Sequence, residues 1–149
     1  MIYSIDQILK INEIFHDVEA VDYYHPDIMK YESIHWQKIG EKIIKNKKKP
    51  ITILDIGTGK GFVPLQIGRF LTQKDLLFLS DISSNLFNEC RKNLEKESKL
   101  YRSKFIKCDG KIYNLEPNTI DIISVLHHIP NFSNFFKEIN KLLKKKDIL

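Results

Sequence analysis

Apolar positions in the first fifty residues recur at the spacing of two amphipathic helices. Ser4 and Gln7 have the spacing of a capping box, so the first helix is expected to begin at Ser4. The pattern breaks at residues 23–25, and Pro26, which suits the first turn of a helix, starts the second stretch. We therefore predict that residues 1–49 form two helices joined by a turn.

Beyond residue 50 the pattern changes to short, nearly continuous apolar runs, which are typical of strands buried on both faces of a parallel sheet. Such runs occur at residues 51–56, 76–80, 105–108 and 120–125. Helical spacing follows them at residues 62–71, from 83 or 84 to about 98, and at 132–143. Strands that alternate with helices predict an α/β fold of right-handed βαβ units, with a parallel sheet and helices on both faces.

The length and composition fit one globular domain. The chain has 149 residues, of which 42% are hydrophobic and 29% are charged, and these shares differ from those of disordered or fibrous chains. No apolar run approaches the roughly 20 residues needed to span a bilayer, and the N-terminus lacks the pattern of a signal peptide. Cys90 and Cys108 match no metal-binding spacing, so we expect no metal site. Because neither a membrane span nor a signal peptide is visible, we expect a cytoplasmic protein.

The charge balance leaves a nucleic-acid partner as the weaker alternative. Lysine and arginine total 24 against 19 acidic residues, which gives a net charge of +5. Only Arg69, Arg91 and Arg102 are arginines, whereas recognition of bases and phosphates favours the rigid donors of arginine. The lysine runs stand at the ends of helical patterns, where cations complement exposed carbonyl groups. Solvated, helix-capping lysines therefore explain the charge better than a nucleic-acid surface does.

The most informative segment follows the first predicted strand and is rich in glycine, Asp55-Ile-Gly57-Thr-Gly59-Lys-Gly61. A tight turn between a strand and a helix would explain one or two of these glycines. Glycines at three alternate positions also let a ligand approach the backbone without interference from Cβ atoms. Because ligands of parallel α/β sheets bind beyond the carboxyl ends of the strands, we expect a ligand at this segment.

This segment does not fit two common phosphate sites. Phe62 stands where the dinucleotide fingerprint requires glycine or alanine, and Gly61 follows Lys60 where a P-loop requires serine or threonine. Asp55 would also repel a pyrophosphate, but its carboxylate suits a ligand with a positive centre. S-adenosylmethionine carries an ammonium and a sulfonium group, so the segment favours this cofactor.

The same segments resemble those of class I S-adenosylmethionine-dependent methyltransferases. The first motif is Ile53-Leu-Asp-Ile-Gly-Thr-Gly-Lys-Gly61, and the likeness continues through Ser80-Asp-Ile-Ser83, Cys108-Asp-Gly110 and Asp121-Ile-Ile-Ser-Val-Leu-His-His-Ile-Pro130. It covers about residues 50–149 and is strongest for the small-molecule branch of ubiquinone- and menaquinone-pathway enzymes. The resemblance implies a Rossmann-like sheet, S-adenosyl-L-methionine as cofactor, and in-line attack by an acceptor on the cofactor's methyl group.

The resemblance also implies roles for individual residues. Asp55 would hold the methionine end of the cofactor, Asp81 would accept from the ribose hydroxyls, and Ile82 would lie against the adenine. Asp109 would accept from the adenine amino group beside Gly110. The implied cofactor-binding set is Asp55, Gly57, Thr58, Gly59, Gly61, Asp81, Ile82, Asp109, Gly110 and Ser124. Two alternatives stay open: Asp81 as a negative charge at the start of the next helix, and Asp109 as a turn residue.

Two adjacent histidines, His127 and His128, are candidate catalytic residues because histidine titrates near neutral pH. One of them would take a proton from the acceptor or orient it; the alternative is that both close the strand and begin a loop. Residues 1–49, including the Tyr23-Tyr24-His25 turn, would form a lid and part of the substrate wall. Trp36 is expected instead to pack its helix on the sheet.

The number of strands bears on the function. Full domains of the resembled family have seven strands, and this chain ends where the fifth would begin, so residues 50–149 are expected to form an incomplete cofactor-binding domain. The fourth strand would then expose an apolar edge that invites pairing with a second copy, at Ile120, Ile122, Ile123 and Val125. Three functions stay open: methyl transfer to a small or medium-sized acceptor, methyl transfer to RNA or protein, and cofactor binding without catalysis.

Overall fold

Helices and strands alternate along the chain as predicted. The computed structural model describes residues 4–19, 26–46, 48–97, 102–107, 114–125 and 132–145. In chain order their elements are α1 (Ile5–Glu19), α2 (Pro26–Asn46), β1 (Thr52–Ile56), α3 (Phe62–Gly68), β2 (Leu76–Asp81), α4 (Ser84–Lys96), β3 (Ser103–Lys107), β4 (Ile122–Val125) and α5 (Phe132–Leu142). The predicted order of elements is confirmed, and their ends differ from the prediction by a few residues.

Local sequence signals account for two helix starts. The Gln7 N–H donates to Ser4 Oγ over 3.2 Å and the Ser4 N–H donates to the Gln7 side-chain oxygen over 2.8 Å, so the predicted capping box is confirmed. Ser83 rather than Ser84 is the N-cap of α4, because its hydroxyl accepts from the Leu86 N–H over 3.2 Å.

The described helices are short or carry many polar side chains. α3 ends at Gly68 rather than at residue 71, because the chain continues in turns in which the Leu71 N–H donates to the Gly68 carbonyl over 3.1 Å. α2 has 21 residues, and charged side chains occur along its length. In the described part of the chain, no helix has the length and the apolar character needed to cross a membrane.

The strands form one parallel sheet in the order β3-β2-β1-β4. α3 connects β1 to β2 and α4 connects β2 to β3, so the chain winds outward from β1 in one direction. β4 lies on the opposite side of β1, and the strand order therefore reverses between β1 and β4. In open α/β sheets, the carboxyl ends of the strands at such a reversal are where ligands bind.

Both faces of β1 are covered, which explains its unbroken apolar run. One core cluster, beneath α3 and α4, comprises Ile51, Ile53, Val63, Ile67, Leu77, Leu79, Cys90 and Leu94. The other, beneath α5, comprises Leu54, Ile56, Ile120, Phe135, Ile139 and Leu142. Trp36 of α2 packs against the first cluster, as predicted for this side chain. Gly40 of α2 lets the Phe70 ring come within 2.3 Å of where a Cβ would stand.

The outer edge of β4 is closed at its beginning by the segment that follows α5. Ile120 forms a parallel bridge with Leu143, and the Lys144 N–H donates to the Ile120 carbonyl over 2.8 Å. Lys144 Nζ also lies 2.5 Å from a carboxylate oxygen of Asp121. The predicted exposed edge is therefore wrong at Ile120, which is fully buried, because a segment distant in sequence returns to it. The strand itself begins at Ile122 rather than at residue 120.

The sequence analysis did not single out Asp75, which fixes the amino ends of β1 and β2. Its carboxylate is buried, and Oδ1 accepts from the Ile51 N–H over 2.9 Å. Oδ2 accepts from the N–H and the hydroxyl of Thr72 over 2.7 and 2.9 Å. One carboxylate thus joins the start of the sheet to the turn that leads into β2.

Asp75→Ala is expected to lower the free energy of unfolding by about 3 kcal/mol, because three donors lose a buried charged acceptor. Urea denaturation followed by circular dichroism measures this change. Lys74→Ala, at the exposed neighbouring position, is the matched control and should change the free energy by less than about 0.5 kcal/mol. A loss for Asp75→Ala no larger than that of the control would contradict this role.

Candidate functional site

The glycine loop, which we define as residues 57–61, is fastened to the end of the neighbouring strand β2. The carbonyl of Ser80 accepts hydrogen bonds from the N–H groups of both Gly57 and Thr58, over 2.8 and 2.9 Å. Because Ser80 is buried within the sheet, these bonds fix the direction in which the chain leaves β1.

Two side chains hold the middle of the glycine loop. A carboxylate oxygen of Asp81 accepts from the Gly59 N–H over 2.8 Å. From α4, the Asn93 amide donates to the Lys60 carbonyl over 3.0 Å. The loop is therefore supported from both β2 and α4, and such support preorganises a binding site.

The three glycines of the loop have positive φ angles, and two of them differ in what a side chain would contact. Gly57, Gly59 and Gly61 have φ of 74°, 52° and 88°, a region that residues with a Cβ rarely adopt. A Cβ at Gly61 would lie 2.8 Å from the Cys90 sulfur, so this glycine is needed for packing. A Cβ at Gly59 would have no heavy atom of the described residues within 4 Å, so a ligand has room to approach the loop there.

Asp55 is a fully buried carboxylate near the carboxyl end of β1. The parallel pairing of β1 with β4 places Ser124 beside it in register. The Ser124 hydroxyl donates a hydrogen bond to Asp55 Oδ1. In the described residues, Oδ2 has no hydrogen-bond partner, although it is buried.

Burial raises the pKa of Asp55 from its ordinary value of 3.8 to about 6, because the charged form loses its hydration. The Ser124 hydroxyl and, less strongly, the Thr58 hydroxyl favour the ionised form and oppose this rise. The negative charge of Asp81 adds to the rise. Asp55 is thus a carboxylate whose ionised form a positively charged ligand would stabilise.

Unsatisfied polar atoms are concentrated at this place. Over the described ranges, the buried side-chain oxygens and nitrogens that lack a hydrogen-bond partner are Asp55 Oδ2 and Thr58 Oγ1. Buried polar atoms in native proteins are nearly always hydrogen-bonded. Their occurrence three positions apart, at the start of the glycine loop, indicates a ligand that offers hydrogen-bond donors, and the carboxylate favours a cationic one.

Asp81 connects the loop to the first turn of α4. Its second oxygen accepts from the Ser83 N–H over 3.0 Å, and the side chain is buried. Ile82, between these two residues, is half-buried. This geometry supports the alternative in which Asp81 serves the next helix. It is also compatible with a ligand, because each carboxylate oxygen can accept more than one hydrogen bond.

Several predicted site residues lie outside the described part of the chain. These are Asp109, Gly110, His127, His128 and the Tyr23-Tyr24-His25 turn. The described structure brings the others together around the ends of β1, β2 and β4, namely Asp55, Gly57, Thr58, Gly59, Gly61, Asp81, Ile82 and Ser124.

Sequence reasoning missed two residues of α4 that support the glycine loop. Cys90 packs under Gly61 and Asn93 holds Lys60. Their spacing of three places both side chains on one face of the helix, the face that carries its buried positions. A polar residue beside the apolar stripe of α4 was the available signal, because such a residue needs a partner.

The model of a family described as the ubiE/COQ5 methyltransferase family matches residues 4–146. No curated protein sequence matches the chain.

Solved structures with the same fold include several methyltransferases. A candidate S-adenosyl-L-methionine-dependent methyltransferase from Methanococcus maripaludis is 18% identical, with a TM-score of 0.65 over 97% of this chain and 62% of that one. A SAM-dependent methyltransferase from Aquifex aeolicus is 22% identical, with a TM-score of 0.61 over 81% of this chain and 68% of that one.

A third structure contains bound ligands. It is phosphoethanolamine N-methyltransferase 2 from Haemonchus contortus, in complex with phosphomonomethylethanolamine and S-adenosylhomocysteine. It is 25% identical, with a TM-score of 0.60 over 74% of this chain and 26% of that one. The chain thus spans 62% of the Methanococcus protein and about a quarter of the Haemonchus protein.

Proposed function

The chain belongs to the ubiE/COQ5 methyltransferase family, and on this basis we propose that it binds S-adenosylmethionine at the glycine loop and methylates a small or medium-sized acceptor. Family membership supports both the cofactor and the reaction. The Haemonchus N-methyltransferase adds support, since S-adenosylhomocysteine is the demethylated form of this cofactor.

The observation that carries the proposal is the buried Asp55 Oδ2, which has no hydrogen-bond partner among the residues that the structure describes. A carboxylate in such a place requires a donor, and a cationic donor compensates its buried charge. The methionine end of S-adenosylmethionine offers an ammonium group. A pyrophosphate would instead place like charge near Asp55 and Asp81.

The other described residues fit the remaining parts of the cofactor. The open side of Gly59 allows close approach to the backbone, and Thr58 Oγ1 offers a second polar contact. The free lone pairs of Asp81 suit the ribose hydroxyls, and the half-buried Ile82 suits the adenine face. We keep Asp109 and Gly110 as proposed adenine contacts and Ser124 as part of the same site.

The bound cofactor supplies a methyl group that its sulfonium has already activated. The chain's own residues therefore have to bind and align the two reactants, which by itself can account for a large rate enhancement. A base is needed only if the acceptor must lose a proton. His127 and His128, which follow β4 in sequence, are our candidates for that role.

The N-terminal helices are our proposed lid and acceptor wall. Glu13 of α1 lies 3.1 Å from Lys107 at the carboxyl end of β3, which brings α1 near the edge of the sheet where the glycine loop lies. Apolar side chains of α1 and α2 that are about half exposed or more are Ile5, Ile11, Ile14, Phe15, Tyr31 and Ile34. An acceptor with an apolar part would cover some of this surface.

The small acceptor is preferred over RNA because two of the three arginines already have partners in the structure. The Arg102 side chain donates to the Asp75 carbonyl over 3.1 Å, and the Arg91 guanidinium lies 4.5 Å from the centre of the Phe105 ring. A steep loss of activity with added salt would instead favour RNA. A panel of small-molecule and protein acceptors separates the other two functions. Turnover of a protein acceptor would favour methyl transfer to protein, and cofactor binding without turnover of any acceptor would favour binding without catalysis.

Two further predictions accompany this function. The first is a homodimer in which a second copy pairs with β4 along Ile122–Val125, since Leu143 already covers Ile120. Sedimentation velocity measures the oligomeric state.

The second is a cytoplasmic location, which cell fractionation checks.

Calorimetric titration with S-adenosylmethionine and S-adenosylhomocysteine tests the binding proposal. Asp81→Asn should weaken the affinity about 10- to 100-fold, because a charged acceptor becomes neutral while one acceptor oxygen is kept for the loop. Glu116→Gln, an exposed acidic position, is the matched control and should leave the affinity unchanged. No binding by the parent protein at hundreds of micromolar would overturn the proposed function.

A further inference from the structure

Ser124 is a polar residue in an otherwise apolar strand. β4 has the sequence Ile-Ile-Ser-Val, and its pairing with β1 matches Ser124 with Asp55 in register. The serine hydroxyl donates to Oδ1 of the carboxylate and leaves Oδ2 for another donor. The two oxygens of Asp55 thus have separate environments: Oδ1 is paired within the fold, and Oδ2 is buried without a partner among the described residues.

We infer that Ser124 is a positioning residue, which acts through Asp55: it favours the ionised form of this buried carboxylate and so sets the pH range in which uptake of a cationic ligand releases a proton. The identity of the ligand rests on the proposed function, whereas the pairing of Ser124 with Asp55 does not. The Ser124 hydroxyl donates its hydrogen bond to Asp55, so its effect on the ligand is indirect.

The groups around Asp55 have different effects on its ionisation. In the glycine loop, the Thr58 hydroxyl favours the ionised form. On β2, Asp81 is a like charge that disfavours ionisation. On α4, burial raises the pKa of Cys90 to about 12, so its thiol is neutral at physiological pH. On β4, Ser124 favours the ionised form. Among the described residues of the two strands paired with β1, Ser124 is therefore the one whose hydrogen bond favours the ionised form of Asp55.

This arrangement gives the pH dependence a definite sign. Below a pH of about 6, Asp55 of the unliganded protein is mostly protonated, and a cationic ligand must displace that proton. Affinity should therefore rise with pH and level off above about pH 7. Loss of the Ser124 hydrogen bond should raise the pKa of Asp55 by about one pH unit. The rise of affinity with pH should then occur about one pH unit higher.

The first arm of the experiment uses the protein without ligand. Relative to Asp55→Asn, the stability of the parent should decrease as pH rises from about 4 to about 6, because the folded protein binds the proton of Asp55 more tightly than the unfolded chain does. In Ser124→Ala the decrease should extend to about pH 7. Ser124→Thr, which keeps a hydroxyl, should restore the parent profile. In an Asp55→Asn background, Ser124→Ala should leave the profile unchanged.

The second arm measures the affinity for S-adenosylmethionine by calorimetry. Near pH 6, Ser124→Ala should bind about fivefold more weakly than the parent, and this deficit should shrink as pH rises. Ser124→Thr should again behave as the parent does. Titration near pH 6 in two buffers of different ionisation enthalpy should detect proton release on binding, with less than one proton released per ligand.

The two arms separate the possible failures. A deficit of Ser124→Ala that is equal at every pH would overturn the inference, since a direct contact or a folding defect acts that way. Identical stability profiles for Ser124→Ala and the parent would overturn it as well. If the parent protein does not bind the cofactor, the proposed function fails, while the stability arm still decides whether Ser124 controls Asp55.

Discussion

Asp55→Asn is expected to remove measurable binding of S-adenosylmethionine and to stabilise the unliganded protein near neutral pH. The rise of the Asp55 pKa from 3.8 to about 6 means that a buried, charged carboxylate opposes folding by up to about 3 kcal/mol above pH 7. Asparagine keeps the shape and an acceptor for the Ser124 hydroxyl but carries no charge. Affinity is lost because the ammonium group no longer meets an anion.

Urea denaturation at about pH 8 and about pH 4, with calorimetry at the higher pH, measures both effects. The variant should be more stable than the parent by about 1–3 kcal/mol at the higher pH, and most of this difference should vanish near pH 4, where Asp55 is protonated in the folded protein. Glu116→Gln is the matched control, since it removes an exposed carboxylate. If Asp55→Asn were less stable than the parent at neutral pH, the inference that the buried charge of Asp55 destabilises the unliganded protein would be wrong.

Gly61→Ala is expected to destabilise the protein by about 3 kcal/mol, since two costs add at this position. A φ of 88° is unfavourable for any residue with a Cβ, and the new methyl group would lie 2.8 Å from the Cys90 sulfur. Thermal and urea unfolding measure the loss. In a Cys90→Ala background, the same substitution should cost less by about 1 kcal/mol or more, because the clash is relieved while the backbone strain persists.

Gly59→Ala is the matched comparison within the same loop. Its φ is 52°, and in the described part of the chain its Cβ would meet no heavy atom within 4 Å, so the loss of stability should be about 1 kcal/mol. Its affinity for the cofactor should fall nonetheless, because the methyl group occupies the open side of the loop. Equal losses of stability for Gly59→Ala and Gly61→Ala would show that contact with Cys90 does not matter.

Much of the fold could be predicted because its determinants are local. The apolar runs and helical spacings define the strands and helices, and the capping box of Ser4 and Gln7 depends on residues three apart. The parallel sheet follows from the alternation of these elements. The edge of β4 at Ile120 could not be predicted in this way, because its cover is Leu143, which returns after a whole helix.

The candidate site was predictable in its chemistry rather than in its contacts. The spacing of Asp55 and the glycines favoured a ligand with a positive charge, and the structure adds a carboxylate oxygen there that has no partner among the described side chains and backbone. The hydrogen bond of Ser124 to Asp55 joins residues 69 apart and depends on the register of two strands. The support from Asn93 likewise depends on how α4 lies across the loop.

The carboxylate of Asp81 has a consequence for local motion. It accepts from the Gly59 N–H with one oxygen and from the Ser83 N–H with the other. A single rotation of this side chain would break both bonds at once. The glycine loop and the first turn of α4 are therefore expected to open as one cooperative unit, rather than to fluctuate independently.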